Sequence, residues 1–180
     1  RTVKAEMQVS VENRTDNALT EYKFELYPNA YKEDAVICPV SPLYEKTAYY
    51  DGKSYGEIRI KSVDGAKSYH IGGKDDNILY LQTETVYPDE RANFTIEFET
   101  QLAKVEHRTG VTERGVNLCD FYPVLCHYGE NGFEEYTYEP IGEPFVYDTA
   151  NYSVTLTLPS GYVVASSGVE EKRTNSDGKT

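Results

Sequence analysis

The stretch that decides the fold is Thr2-Val-Lys-Ala-Glu-Met-Gln-Val-Ser-Val-Glu12, near the start of the chain. Its odd-numbered positions hold valine, alanine or methionine, and its even-numbered positions hold polar or charged residues. Because successive side chains of a strand point to opposite faces, this alternation predicts a β-strand with one face in a core and the other in water.

Similar alternation recurs along the chain, and turn signals separate the segments. The further predicted strands are residues 20–27, 55–63, 67–71, 78–82, 92–102, 151–158 and 162–166. Asp64-Gly65 joins the second and third of these and predicts a hairpin. No segment of ten or more residues shows a helical period. The pattern therefore predicts an all-β fold, either an antiparallel saddle-shaped sheet or a β-sandwich.

Two regions depart from this pattern. Residues 106–144 are rich in glycine, tyrosine and glutamate, and they predict a long irregular loop region of the kind that often carries function. The tail, residues 169–180, is polar and charged, and Ser176-Asp177-Gly178 is a hairpin signal whose second strand is missing. We therefore expect one β domain over residues 1–168. Residues 169–180 are then a truncated hairpin or linker, where a longer protein has been cut.

Length and charge limit the classes of function. The 180 residues suit one domain, and 30 Asp and Glu against 18 Lys and Arg give a net charge of −12. This charge repels nucleic acid and anionic membranes, so neither is an expected partner. No run of 18 apolar residues occurs, so we expect no membrane insertion by this segment. The start at Arg1 and the tyrosine-rich, histidine-poor composition favour an extracytoplasmic location, secreted or at the cell surface.

Few residues of the sequence match a known catalytic pattern. The sequence has three histidines and no H-E-x-x-H, G-x-S-x-G, P-loop or Rossmann motif. Its cysteines, Cys38, Cys119 and Cys126, are odd in number and form no C-x-x-C. We interpret them as small buried hydrophobes; the alternatives are a disulfide or a metal site that includes His107 and His127.

Carboxylates and tyrosines are the remaining candidates for chemistry. Glu134, Glu135, Glu139 and Glu143 could supply the carboxylate pair of a glycosidase, but in so acidic a chain they are better interpreted as a solvated acidic loop. The 17 tyrosines could stack on sugars. Most of them alternate along predicted strands, which indicates packing and cross-strand pairing instead.

A set of segments, taken in chain order, points to a known family. They are Leu19-Thr-Glu-Tyr-Lys-Phe-Glu-Leu-Tyr-Pro-Asn-Ala30, Gly56-Glu-Ile-Arg-Ile-Lys-Ser-Val-Asp-Gly65, Arg108-Thr-Gly with Asp120-Phe-Tyr-Pro-Val-Leu125, and Gly142-Glu-Pro-Phe followed by Asn151-Tyr-Ser-Val-Thr-Leu-Thr-Leu-Pro-Ser-Gly-Tyr-Val-Val-Ala-Ser-Ser-Gly168. In their order and spacing they resemble the N-terminal β domain of the zinc aminopeptidases related to aminopeptidase N, the gluzincins. The last segment is the most specific, and the resemblance covers about residues 3–168.

The resemblance implies a twisted, saddle-shaped β domain that covers a thermolysin-like catalytic domain and forms part of the cleft wall. The zinc ligands of that family lie on helices further along the chain. This segment is therefore expected to have no cofactor and no catalysis of its own, with zinc held in the catalytic domain of the parent metallopeptidase. Its implied partners are its own C-terminal catalytic domain and, in the full protein, a peptide substrate.

One site residue follows from the resemblance. In many members of the family a Gln or Glu of this domain binds the free α-amine of the substrate, nine or ten positions before an F-x-P motif. Counting back from Pro123 leads to Glu113, in Thr112-Glu-Arg114, although the family's surrounding Q-x-E motif is absent. Glu113 is therefore the candidate amine-binding residue, and a solvated loop carboxylate is the other interpretation.

A second class of function also stays open at this stage. A stand-alone extracellular β-sandwich module that binds carbohydrate or protein needs an exposed aromatic platform. Such a platform would place Tyr122, Tyr128, Tyr136 and Tyr138 on one exposed face. An apolar face left bare favours the peptidase domain instead. An intact small hydrolase is the least favoured, because no nucleophile and base have a usable spacing.

Overall fold

The computed structural model describes residues 1–174, and their fold is almost entirely β, as the sequence predicts. Within these residues eleven strands accompany a 3-10 helix at Tyr27–Tyr31 and one α-helix, α1, at Glu45–Ala48. The strands are β1 (Thr2–Glu12), β2 (Leu19–Glu25), β3 (Glu57–Asp64), β4 (Ser68–Gly72), β5 (Ile78–Val86), β6 (Arg91–Gln101), β7 (Thr109–Val111), β8 (Val116–Leu118), β9 (Val124–Leu125), β10 (Tyr128–Gly129) and β11 (Gly132–Phe133).

The long strands form two antiparallel sheets. One sheet has the strand order β1-β6-β3 and the other the order β4-β5-β2-β9. β1 and β6 pair without interruption from Thr2 opposite Gln101 to Glu12 opposite Arg91. Along β6 every second side chain is buried, which is the period that half-buried strands require.

The main core lies between these sheets. Phe94 of β6 meets Tyr22 and Phe24 of β2, with ring centroids 5.3 and 6.1 Å apart. Full burial of a large apolar side chain of this kind contributes about 2 kcal/mol to stability. The other buried members of this core are Leu26, Ile58, Leu79, Leu81, Val86, Ala92, Ile96 and Phe98. The fold is thus sandwich-like, with the prediction of an all-β class confirmed.

The hairpin predicted at Asp64-Gly65 is wrong. β3 pairs with β6 and β4 pairs with β5, so the turn between β3 and β4 carries the chain from one sheet to the other. Gly65 has a φ of 89°, and a Cβ there would lie 2.1 Å from the Asn93 carbonyl oxygen. Glycine therefore allows a tight crossing at this end of the sandwich, which a local turn signal does not distinguish from a hairpin.

The strands predicted at 151–158 and 162–166 are also absent. The chain divides into two compact units, Arg1–Asp148 and the chain from Thr149, and no strand occurs in the described part of the second unit. Its alternating apolar residues Tyr152, Val154 and Leu156 are exposed and Leu158 is half-buried, because alternation alone does not make a strand. The predicted boundary at residue 168 stays a prediction, and Ser176-Asp177-Gly178 lies outside the described residues.

The region from 106 to 144 is only partly irregular. β7 pairs with β8, β10 pairs with β11, and β9 extends the four-stranded sheet beside β2. The remaining residues of this region are coil, bends and turns. Within residues 1–174 no helix has the length and hydrophobicity needed to cross a membrane.

Candidate functional site

Glu113 lies at the exposed tip of the β7–β8 hairpin. The tip is organised by Thr112, whose hydroxyl oxygen accepts hydrogen bonds from the backbone N–H groups of Arg114 at 3.2 Å and Gly115 at 3.0 Å. The Glu113 side chain is therefore held on an ordered turn and projects towards solvent. This position allows an amine contact with a ligand that approaches the hairpin, and it equally suits a solvated loop carboxylate.

The other candidate carboxylates are each engaged by a cation or a tyrosine, apart from the exposed Glu139. Glu135 accepts hydrogen bonds from Lys23 at 2.7 Å and from the Tyr80 hydroxyl at 2.9 Å. Glu134 accepts one from the Tyr136 hydroxyl. The Glu135 contacts tie the loop to the sheet and the Glu134 contact lies within the loop, so both carboxylates have a structural use.

The cysteines and tyrosines are also placed by the structure. All three cysteine thiols are free, and burial raises the pKa of the Cys126 thiol. Within residues 1–174 no group of three His, Cys, Asp or Glu side chains is arranged to hold a metal ion. Tyr138 is buried, and Tyr122, Tyr128 and Tyr136 are half-buried, so these four rings do not form an exposed platform.

A buried carboxylate, Glu25 at the end of β2, is the most unusual polar group of the first unit. It is only 1 % exposed. Its carboxylate accepts a hydrogen bond from the Tyr136 backbone N–H at 2.8 Å and a longer one from the Asn77 side chain at 3.4 Å. Burial raises the pKa of Glu25 to about 7; the two hydrogen bonds act in the opposite direction, and the Glu135 charge adds to the rise.

Residues 136–148, which we name the strap, cover this carboxylate. Asn77 donates to the Tyr136 carbonyl at 2.8 Å, so it contacts both Glu25 and the strap. Further along, Arg108 donates to both carboxylate oxygens of Glu143 at 2.6 and 2.8 Å and lies over the Phe145 ring. The strap is therefore held in place by the buried hydrogen bonds of Glu25 and Asn77 and by the exposed ion pair of Arg108 and Glu143.

Sequence reasoning missed Glu25, and the reason is specific. Tyr22, Phe24 and Leu26 face the core, so alternation predicts that Glu25 points to water on the other face of β2. That face is covered by the strap, a segment of irregular coil that the sequence does not place. The sequence signal that could have indicated this burial is the apolar run Leu26-Tyr27-Pro28 that follows, which the structure buries.

The second unit presents a different feature, residues 149–168, which we name the arm. These twenty residues contain no Asp, Glu, Lys, Arg or His, in a chain that is 27 % charged. Their apolar side chains are exposed apart from the half-buried Leu158, with Val154 at 68 % and Val163 at 91 %. An uncharged stretch with alternating exposed apolar groups is suited to burial against another protein surface.

Comparison with known proteins identifies no relative: no protein-family model, no curated protein and no solved structure matches this chain.

Proposed function

We propose that this chain is the non-catalytic N-terminal β domain of an aminopeptidase-N-like zinc metallopeptidase. In this role it docks on the catalytic domain and forms part of the wall of the substrate cleft. The proposal draws on the ordered set of segments that resemble that family and on the all-β fold. In this proposal the zinc belongs to the catalytic domain, as the resemblance implies.

The arm is the observation that carries the docking role. Soluble β proteins usually protect exposed extended segments with charges, and the arm has none over twenty residues. Its exposed valine side chains, Val154 and Val163 among them, gain stability where a neighbouring surface removes them from water. A second domain of the same protein supplies that surface at high effective concentration.

The experiment that tests the function uses the full-length parent protein. We expect its sequence to continue into an H-E-x-x-H helix with a further Glu ligand, and the purified protein to bind one zinc ion per chain. It should hydrolyse an aminoacyl p-nitroanilide with a free amine and leave the N-acetylated substrate intact. A parent without that helix, or one that is inactive with zinc bound, would contradict the proposal.

A lysine in the arm should weaken docking in the full-length protein. Val154→Lys places a charge where the proposal expects an apolar contact, so we expect the free energy of unfolding to fall by about 2 kcal/mol. Val36 of the first unit is similarly exposed, at 62 % against 68 % for Val154, and Val36→Lys serves as the matched control. Denaturant unfolding measures both variants. Equal, small effects of the two lysines would argue against docking through the arm.

Glu113 provides a separate test of the cleft role. If its carboxylate binds the substrate amine, Glu113→Ala in the full-length protein should raise KM about tenfold, the loss of one charge-assisted hydrogen bond. Glu106, an exposed glutamate outside the hairpin, is the matched control as Glu106→Ala. An unchanged KM for a free-amine peptide would assign Glu113 to the solvated loop and leave the docking role standing.

The alternative function, a stand-alone extracellular module for carbohydrate or protein, gains no support from its predicted platform. Tyr138 is buried beside Tyr27 and Phe145, and its burial raises the pKa of its hydroxyl to about 12. A ring in that position stabilises the strap and does not offer a face to a sugar. The extracytoplasmic location remains part of the proposal on the ground of the tyrosine-rich, histidine-poor composition.

A further inference from the structure

A groove opens at one end of the sandwich, where the chain crosses between the two sheets. It has a volume of about 790 Å³ and is lined by residues 65–67, 83–86 and 90–93. These are the β3–β4 turn, the last part of β5 and the first part of β6. The groove lies away from the hairpin that carries Glu113 and shares no lining residue with the strap.

On the groove side, β5 continues beyond its pairing with β4, and β6 begins four residues before its pairing with β3. The β4–β5 pairing ends at Ser68 opposite Gln82, whereas β5 continues to Val86. The Lys67 backbone N–H donates to the Gln82 carbonyl at 2.8 Å. In an antiparallel sheet the next residue whose backbone faces the same edge is two positions on, which is Glu84. Residues 83–85 therefore run past the end of β4, and the Glu84 backbone lies on the edge that β4 leaves open, whereas Val86 pairs with Leu19 of β2.

The opposite side of the same corner shows how such an edge is satisfied. There the chain itself passes between β1 and β2, and the buried Asn13 donates from its side chain to the Val86 carbonyl at 3.0 Å and to the Asn17 carbonyl at 2.8 Å. Its backbone N–H donates to the Glu90 carbonyl at 2.8 Å. A segment of extended chain with a small polar side chain thus closes one side of the corner.

The groove side contains a polar group that needs a partner. Thr83 points inward from β5, is 7 % exposed and lines the groove. Its hydroxyl is buried and has no hydrogen-bond partner among residues 1–174. A buried hydroxyl without a partner is unfavourable, so a ligand that supplies a hydrogen bond there gains affinity.

We propose that this groove binds an extended, uncharged polypeptide segment of another protein, which adds to the open end of β5. The backbone of the segment pairs with the free edge at Glu84, as in other cases of strand addition. A serine, threonine or asparagine of the segment meets the Thr83 hydroxyl, in the way that Asn13 serves the other side.

The rim of the groove explains why the segment is uncharged. Lys67 pairs with Glu84 at 2.8 Å, and Arg91 hydrogen-bonds to Glu12 across the β1–β6 pair. The cations at the rim are thus already neutralised, and Glu90 adds a carboxylate that accepts the Tyr87 backbone N–H at 2.8 Å. The cations and the anions of these rim pairs neutralise each other, and the Glu90 carboxylate is engaged by a backbone N–H, so the rim favours an uncharged segment over an acidic or a basic one.

The test uses a synthetic probe and ¹⁵N NMR of the whole chain. The probe is acetyl-Thr-Val-Thr-Val-Thr-amide at millimolar concentration, and the control probe has the same sequence with alternate backbone nitrogens methylated, which prevents pairing. We expect the first probe to shift the amide signal of Glu84 and to slow the hydrogen exchange of this amide. The methylated probe should leave both unchanged.

Matched variants separate the groove from the rest of the surface. Thr83→Val keeps the side-chain shape and should weaken probe binding about tenfold while raising the melting temperature of the free protein. Thr95→Val, a half-buried threonine of β6 outside the groove, should change neither. Ala66→Leu narrows the groove, keeps the Thr83 hydroxyl and should also weaken binding. Equal shifts with both probes, no shift at all, or the same shifts on raising the protein concentration without probe would overturn the proposal, the last by identifying a second copy as the occupant.

Discussion

Replacing Glu25 with glutamine should make the protein more stable above neutral pH and remove most of its pH dependence between pH 5 and 8. Glutamine keeps an oxygen that can accept the Tyr136 backbone N–H, which in the native protein lies 2.8 Å from the Glu25 carboxylate. It also matches the shape of the protonated acid. The substitution removes the negative charge that ionised Glu25 carries beneath the strap.

The sign follows from the proton balance. Glu25 has a pKa of about 7 in the folded protein against 4.5 as its ordinary value, so between these values the folded state holds a proton that the unfolded state has released. Stability from this group is therefore fully present below pH 4.5 and is lost as the pH rises to 7. The loss amounts to about 3 kcal/mol, because each pH unit of the difference corresponds to about 1.4 kcal/mol.

The titration of His107 changes the stability with pH in the opposite direction, so its effect must be distinguished from that of Glu25. Burial lowers the pKa of His107, with the Arg108 charge adding to the effect, and its ring nitrogen lies 2.6 Å from the Tyr31 hydroxyl. Its contribution is present above pH 6.5 and is lost as the pH falls through its lowered pKa. Because both variants of the comparison retain His107, the difference between native protein and Glu25→Gln isolates the carboxylate.

Urea unfolding at several pH values between 5 and 8 measures this effect. Glu97→Gln, at an exposed position of β6, is the control and should follow the native pH dependence. Hydrogen exchange of the Tyr136 amide adds a local readout, since ionisation of Glu25 should loosen the strap first. Parallel pH curves for the native protein and Glu25→Gln would show that Glu25 titrates in its ordinary range.

The sequence predicts those parts of the fold that depend on local alternation. β1 and β6 pair with each other along their whole length. Apolar and polar residues therefore alternate in both segments, and the burial of their side chains follows this alternation. The irregular character of the region after residue 106 is also visible in its composition. These features need no knowledge of which elements are neighbours.

What the sequence does not predict depends on distant neighbours. Gly65 produces a crossing between sheets because β3 finds its partner in β6, which lies some thirty residues further along the chain. The arm alternates like β1 but has no partner strand among the described residues, so its side chains stay exposed. Glu25 is buried by a strap that begins more than a hundred residues later. In each case tertiary context overrides a correct local pattern.

The largest loss of stability should come from Phe94→Ala. Phe94 is 3 % exposed and lies between the sheets, with its ring edge-on to both Tyr22 and Phe24 of β2. Removing the ring leaves a cavity that the two paired sheets cannot close, because β6 is fixed on both sides by β1 and β3. We expect the free energy of unfolding to fall by about 4 kcal/mol, of which the aromatic pairs supply about 1 kcal/mol.

Two further variants test whether the ring of Phe94 holds the two sheets together. Phe94→Leu keeps most of the buried volume and should lower the free energy of unfolding by about 1.5 kcal/mol. Tyr87→Ala removes an aromatic ring that is 59 % exposed just before β6 and should change it by less than about 0.5 kcal/mol. Chemical denaturation at one pH gives all three values. If Phe94→Ala and Tyr87→Ala had similar small effects, the two sheets would not be held together by the ring of Phe94.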